Sequence, residues 1–220
     1  MTTLQLIDNT IPQLKLNDTI AKALQLMTDF KTTHLPVTNE EKFLGLISES
    51  DLLDKNGQNS NLEIFKNELI PAAVAFSQHF LKAVPVCSLY RTNVVPVVNE
   101  TGDYMGSIRG FDLVNAMGNF SGANEYGALV VLEMGRSRLA ISEINSIVES
   151  DGATILHLNV SPLASSDIIE VTLQINKREI STIIASFERY EYSVVYYSGE
   201  ELYENDISTN YQNLMNYLDI

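Results

Sequence analysis

The stretch GLISESD (residues 45–51) returns sixty-one residues later as GSIRGFD (106–112). Each copy opens on a glycine (Gly45, Gly106), passes through an isoleucine (Ile47, Ile108) and ends on an aspartate (Asp51, Asp112). The fourth place changes from Ser48 to Arg109. Working outward, KALQLMTDFKTTHLPV (22–37) lies over KAVPVCSLYRTNVVPV (82–97), matching Lys22 with Lys82, Thr32 with Thr92, Pro36 with Pro96 and Val37 with Val97. The offset is sixty, and becomes sixty-one after the loop TNEEKF, which reads VNETGDY in the second copy. A one-residue difference in a turn is what a duplicated hairpin tolerates. Upstream, Ile11-Pro12 and Ile70-Pro71 mark the same point in each copy. An internal repeat of about sixty residues decides the architecture.

Both copies read in one order. In the first, apolar residues at 20, 23, 24, 27 and 30 form a helix stripe, with Asn17 or Asp18 as its cap. HLPV (34–37) and FLGLIS (43–48) are paired strands, and SESDLLD opens a second helix with its acids near the N-terminal end of the dipole. Pro85 should bend or shorten the first helix of the second copy. KNGQNSN (55–61) reads as a linker.

From about residue 127 the pattern changes. GALVVLEM reads as a strand, RSRLAISEINSIVES as a helix, ILHLNVSP and DIIEVTLQIN as two strands, REISTIIASFERY as a helix and YSVVYYSG as a closing strand. The order β-α-β-β-α-β is the ferredoxin-like arrangement. Ile207, Tyr211, Leu214 and Leu218 make an amphipathic helix of the tail. The expected organisation is α+β: a first repeat with linker (1–61), a second repeat (62–122), a βαββαβ domain (123–199) and a tail (200–220).

Forty-five per cent of the 220 residues are hydrophobic, enough for real cores. Net charge is −14, which disfavours nonspecific contact with nucleic acid and with anionic membranes. No stretch of about twenty apolar residues is present, and the start lacks the basic-then-apolar order of a secretory signal. With a single cysteine, Cys87, the expectation is a cytoplasmic protein.

The residues quoted so far resemble a pair of CBS domains, together called a Bateman module, over roughly residues 1–120. The unit at 127–198 resembles an ACT domain, and the combination is similar to acetoin-utilisation-protein-B-like CBS–ACT proteins. The resemblance implies a non-catalytic regulatory module for an adenosine-containing ligand such as AMP, ADP or ATP. It implies a homodimer, requires no cofactor, and leaves dependence on Mg²⁺ open. In that family the motif Asp holds the ribose hydroxyls, the Ser or Thr three residues earlier contacts phosphate, and residues around the apolar-Pro pair flank the base. Carried over, the first copy supplies Ser48 and Asp51, with Thr33, His34 and Pro36 near the base. The second supplies Asp112, with Asn93, Val94 and Pro96 near the base. Arg109 stands where the hydroxyl belongs.

The chemistry of these side chains suits the roles. A carboxylate can accept from both ribose hydroxyls in charge-assisted bonds, and a guanidinium offers a planar fork to phosphate. Three uses of Arg109 stay open: strengthening a polyphosphate site, reaching across to the first site, or filling the second pocket and pairing with Asp112. The same motif also serves as a glycine turn with a helix cap, so a ligand-free dimeric scaffold of the same fold is the alternative. In the ACT-like part, Glu133 and Gly135 stand for that family's acidic-x-Pro-Gly ligand turn, without its proline. His34, His79 and His157 lack the spacing of metal ligands, and no G-x-S-x-G, Walker A or G-x-G-x-x-G motif occurs.

Overall fold

A computed structural model describes residues 1–54, 60–164 and 166–199. Most of the 55–61 linker and the expected tail helix lie outside the described residues. The chain divides into two compact units, Met1–Met117 and Gly118–Ile220. No helix among the described residues is long and apolar enough to cross a membrane.

In the first unit, the first repeat comprises β1 (Leu14–Lys15), α1 (Ile20–Phe30), β2 (His34–Asn39), β3 (Lys42–Ser48) and α2 (Glu49–Asp54). The second comprises β4 (Val74–Ala75), α3 (Val84–Tyr90), β5 (Val94–Val98), β6 (Tyr104–Arg109) and α4 (Gly110–Phe120). Each makes a three-stranded sheet in chain order, its first pair parallel and its second antiparallel.

α1 forms because Ile20, Ala23 and Met27 share one face and bury it with Leu35 and Val37 of β2. Burying Ile20 and Met27 contributes about 1.5–3 kcal/mol each, and the Ala23 methyl less. Its cap is Thr19, whose hydroxyl accepts from the Lys22 N–H at 3.2 Å, rather than Asn17 or Asp18. Asp18 instead accepts from the Lys15 N–H at 2.8 Å and pairs with the Lys22 ammonium at 2.6 Å. α3 spans 7 residues against 11 in α1, and Pro85 stands in its first turn, where a missing N–H leaves no bond unmade.

Packing crosses the boundary between the repeats. The segment leading into the second repeat lies along the outer edge of β3, with Leu46 and Ile70 exchanging both backbone bonds at 2.8 and 2.9 Å. The segment leading into the first lies along the edge of β6, where the Asp8 N–H donates to Ser107 O at 2.8 Å. It continues across the second repeat, with Thr3 Oγ1 donating to Ala75 O at 2.6 Å. The division at 61/62 follows the chain, whereas these two straps are exchanged. Leu46 and Ser107 are equivalent, so Asp8 takes the place of Ile70, three residues ahead of the Ile11-Pro12 landmark.

The second unit contains β7 (Ala128–Gly135), α5 (Ile141–Ser150), β8 (Ile155–Pro162), β9 (Ile168–Ile175), α6 (Ser181–Arg189) and β10 (Ser193–Ser198). Its antiparallel sheet has the order β10-β7-β9-β8, the ferredoxin-like topology expected from the element order. Val130, Leu132, Val171 and Leu173 on one face pack with Ile144, Ile147, Val148, Ile183 and Phe187 of the helices. The boundary falls at 117/118 rather than 122/123. Phe120 already packs edge-on against His157 at 5.4 Å, and Gly122 lies beside Gln174 and Leu156.

The straps require small residues beneath them. A Cβ on Gly45 would stand 2.7 Å from Leu69 Cβ, and one on Gly106, whose φ is 141°, would overlap Ile7 Cγ2. Gly45→Ala and Gly106→Ala are each expected to lower stability by about 1–3 kcal/mol in urea unfolding. A loss below about 0.5 kcal/mol, the range of an ordinary surface substitution, would show that the straps are not packed this way.

Candidate functional site

The antiparallel register of β2 and β3 places His34 opposite Ser48 at the end of the first hairpin. Ser48 closes β3, and its Oγ accepts from the Asp51 N–H at 3.0 Å, capping α2. Ser50 Oγ lies 2.9 Å from Ser48 Oγ, and the Glu49 N–H donates to Thr33 O at 2.9 Å. Thr33 Oγ1 meets His34 Nδ1 at 2.9 Å.

The second repeat enters through one side chain. Asn93 Oδ1 accepts from the Thr33 N–H at 2.9 Å and from Thr33 Oγ1 at 3.2 Å, while Asn93 Nδ2 donates to Lys31 O at 2.8 Å. Val94 is buried within the core cluster of the first repeat, among Leu35, Ile47, Leu52 and Leu69. Thr33, His34, Ser48, Asp51 and Asn93 thus converge at one end of the hairpin. Pro36 stands two residues along β2, buried opposite Leu46.

The electrostatics are uneven across this cluster. His34 is 7% exposed, and burial holds its pKa below the ordinary 6.5, with the Asp51 charge opposing. The Asp51 carboxylate is half-buried and has no hydrogen-bond partner among the described residues. Thr32 Oγ1 is buried without a partner among them as well, an arrangement that costs about 1–3 kcal/mol. Its counterpart Thr92 is satisfied, donating to Val94 O at 2.8 Å.

The equivalent place in the second repeat is occupied differently. Arg109 closes β6 opposite Val94, and Asp112 is half-buried in the first turn of α4. Pro96 is buried opposite Ser107. Arg109 Nε donates to the Asp8 carboxylate and Nη2 donates to Thr10 Oγ1 at 2.9 Å. The structure thus shows a fourth use of Arg109, a bond to the N-terminal strap. Hydrogen bonds from Thr10, with those of Arg109, hold the Asp8 carboxyl below its ordinary value. Asp8 and Thr10 belong to no motif, and their only trace in the sequence is Arg109 itself, a cation where the other copy has a hydroxyl.

In the second unit, Glu133 and Gly135 lie within β7 rather than in a turn. The ladder to β9 runs on through Glu133↔Glu170 to Gly135↔Ile168, and the turn follows as a 3-10 segment, Arg136–Arg138. Gly135 has an extended backbone (φ −64°) and open space at its Cβ position, so nothing local requires a glycine. Cys87 is half-buried against the second repeat's core, and that burial pushes its thiol up. No group of three or more potential ligands among the described residues could hold a metal ion.

Residues 6–56 match the CBS domain family. The chain carries a CBS domain. A solved CBS domain pair/ACT domain protein from Thermotoga maritima is similar in fold, with a TM-score of 0.50 and 20% identity, over 55% of this chain and 98% of that one. CBSX2 in complex with AMP is also similar, with a TM-score of 0.43 and 21% identity, over 54% of this chain and 97% of that one. A homoserine O-acetyltransferase from Methanococcus vannielii is 29% identical over 106 residues, 46% of this chain. The match spans only 22% of that protein's length. The fold is therefore a CBS pair followed by an ACT-like domain.

Burial of neutral His34 has a consequence for stability. Its folded pKa is lowered, so on acidification the unfolded chain takes up the proton first. The contribution is present above the unfolded value near 6.5 and is lost as pH falls through it toward the folded value. In urea titrations between about pH 7 and pH 5, His34→Gln should lose less stability than the wild type. Equal slopes would show that His34 binds its proton alike in both states.

Proposed function

We propose that this protein is a regulatory sensor, not an enzyme, and that it binds an adenosine-containing nucleotide between its two CBS repeats at the Ser48/Asp51 end. The observation that carries this reading is the convergence of Thr33, His34, Ser48 and Asp51 with Asn93 of the other repeat. The Asp51 carboxylate, without a hydrogen-bond partner among the described residues, stands there beside the hydroxyl and imidazole groups of Thr33, Ser48 and His34. The buried hydroxyl of Thr32, next to Thr33 in the chain, is also without a partner among the described residues.

In this reading Asp51 accepts from the ribose hydroxyls, and Ser48 and Ser50 face the phosphates. The strand ends that meet through Asn93 flank the base. A nucleotide touching both repeats biases their mutual arrangement only by its difference in affinity between two states. The ACT-like domain passes the change on, and the active form is a homodimer. Leu53 of α2 and Phe111 and Val114 of α4 expose apolar surface available for association. The scaffold alternative draws its support from the second repeat, where Arg109 is already engaged by the chain itself.

A thermal-shift panel of AMP, ADP and ATP, each with and without Mg²⁺, tests the reading. At about a hundred times its dissociation constant, a nucleotide adds roughly 2.7 kcal/mol, or about 5–10 °C in a chain of this size. Asp51→Ala should abolish the shift while leaving the far-ultraviolet spectrum unchanged. A nucleotide shift that survives in Asp51→Ala would remove the site assignment, and a flat panel on nucleotide-free protein would favour the scaffold.

A further inference from the structure

Two departures from the repeat's symmetry occur together, and they are complementary. Where the first copy has Ser48, the second has Arg109; where the strap beside the first copy has Ile70, the strap beside the second has Asp8. Two neutral residues of the first copy correspond to an ion pair in the second. Its anion comes from the N-terminal strap and its cation from the motif that, in the other copy, is assigned to phosphate. The carboxylate is well anchored: the Asp8 N–H is bound to Ser107 O, the Thr10 N–H donates to Asp8 Oδ1 at 2.7 Å, and the Thr10 hydroxyl takes a second arm of the same guanidinium.

We propose that Asp8 is an internal anion that closes the second site of the CBS pair, so that the chain takes one nucleotide and a phosphorylated ligand gains the Arg109/Asp112 site only when the strap is released. This rests on the nucleotide reading of the first site. A carboxylate can take a guanidinium N–H as a phosphate oxygen does, and here Asp8 takes Nε while the Thr10 hydroxyl takes Nη2. Because Asp8 is tethered, it competes at an effective concentration far above that of a free ligand. The Asp112 carboxylate, like Asp51, has no hydrogen-bond partner among the described residues, so the ribose-binding half of the second site is in place. What is closed is the phosphate half. Release of residues 3–10 from β6 would then connect the state of the N-terminal strap to the number of ligands bound.

The test is calorimetric titration of the full-length protein with ATP, in four forms: wild type, Asp8→Ala, Asp51→Ala and the double variant. Asp8→Asn serves as a second form of the strap variant, because the backbone bond to Ser107 survives in it and only the charge is lost. The expected stoichiometries are one for the wild type, two for Asp8→Ala, none for Asp51→Ala and one for the double variant. Adding Arg109→Ala to Asp8→Ala should remove the gained site. A wild type that already binds two, or strap variants that fold and still bind one, would overturn the closure by Asp8. A wild type that binds none beside an Asp8→Ala that binds one would sink the first-site assignment and leave the closure standing. Failure of every form to bind would overturn both.

Discussion

Two short straps run along the outer edges of β3 and β6, and the arrangement of the N-terminal unit depends on these crossings. An edge strand presents unpaired N–H and C=O groups that must be covered. Each repeat covers its edge with chain that, in sequence, leads into the other repeat: Ile70 on Leu46, and Asp8 on Ser107. The covering strap comes so near, through Leu69 and Ile70 over Gly45 and through the Ile7 side chain over Gly106, that neither glycine has room for a Cβ. The glycine that opens each motif is thus explained by the strap above it, independently of any ligand.

The exchange also explains why the candidate site lies where it does. Each hairpin is tied to the other repeat at both ends: at the tips, Lys42 pairs with Asp103 and Tyr104 N–H donates to Glu41 O; at the far end, Asn93 bonds Thr33 and Lys31. Held at both ends, the strand termini that carry His34, Ser48 and Asn93 have little freedom. A site assembled on such termini is pre-organised, which lowers the ordering cost of binding. The two halves are nonetheless unequal. One presents a hydroxyl, a buried neutral imidazole and a carboxylate with no hydrogen-bond partner among the described residues; the other has its cation paired with Asp8.

The ACT-like unit solves a different packing problem with less at stake chemically. Its sheet buries alternate residues of β7 and β9 against two amphipathic helices. β7 runs on through Glu133 to Gly135, and the turn follows it at Arg136–Arg138. Beside the sheet, Tyr192 OH donates to Glu143 Oε2 of α5 at 2.5 Å.

The repeat, the order of elements in both units, the shortening of α3 at Pro85 and the grouping of Ser48 with Asp51 were all legible in the sequence. They rest on local rules: hydrophobic period, turn residues, and a motif whose members lie within seven residues. Asn17, Asp18 and Thr19 are all good caps, and only the backbone geometry selects Thr19 for α1. What tertiary structure alone decided is non-local. The Asn93–Thr33 bond and the capture of Arg109 by Asp8 join residues 60 and 101 positions apart, the straps cross between repeats, and no period or spacing encodes such partners. The sequence raised the question of Arg109 by placing it where a hydroxyl was due. The answer depended on which segment of chain covers the edge of β6, and that is set by the packing of the whole N-terminal unit.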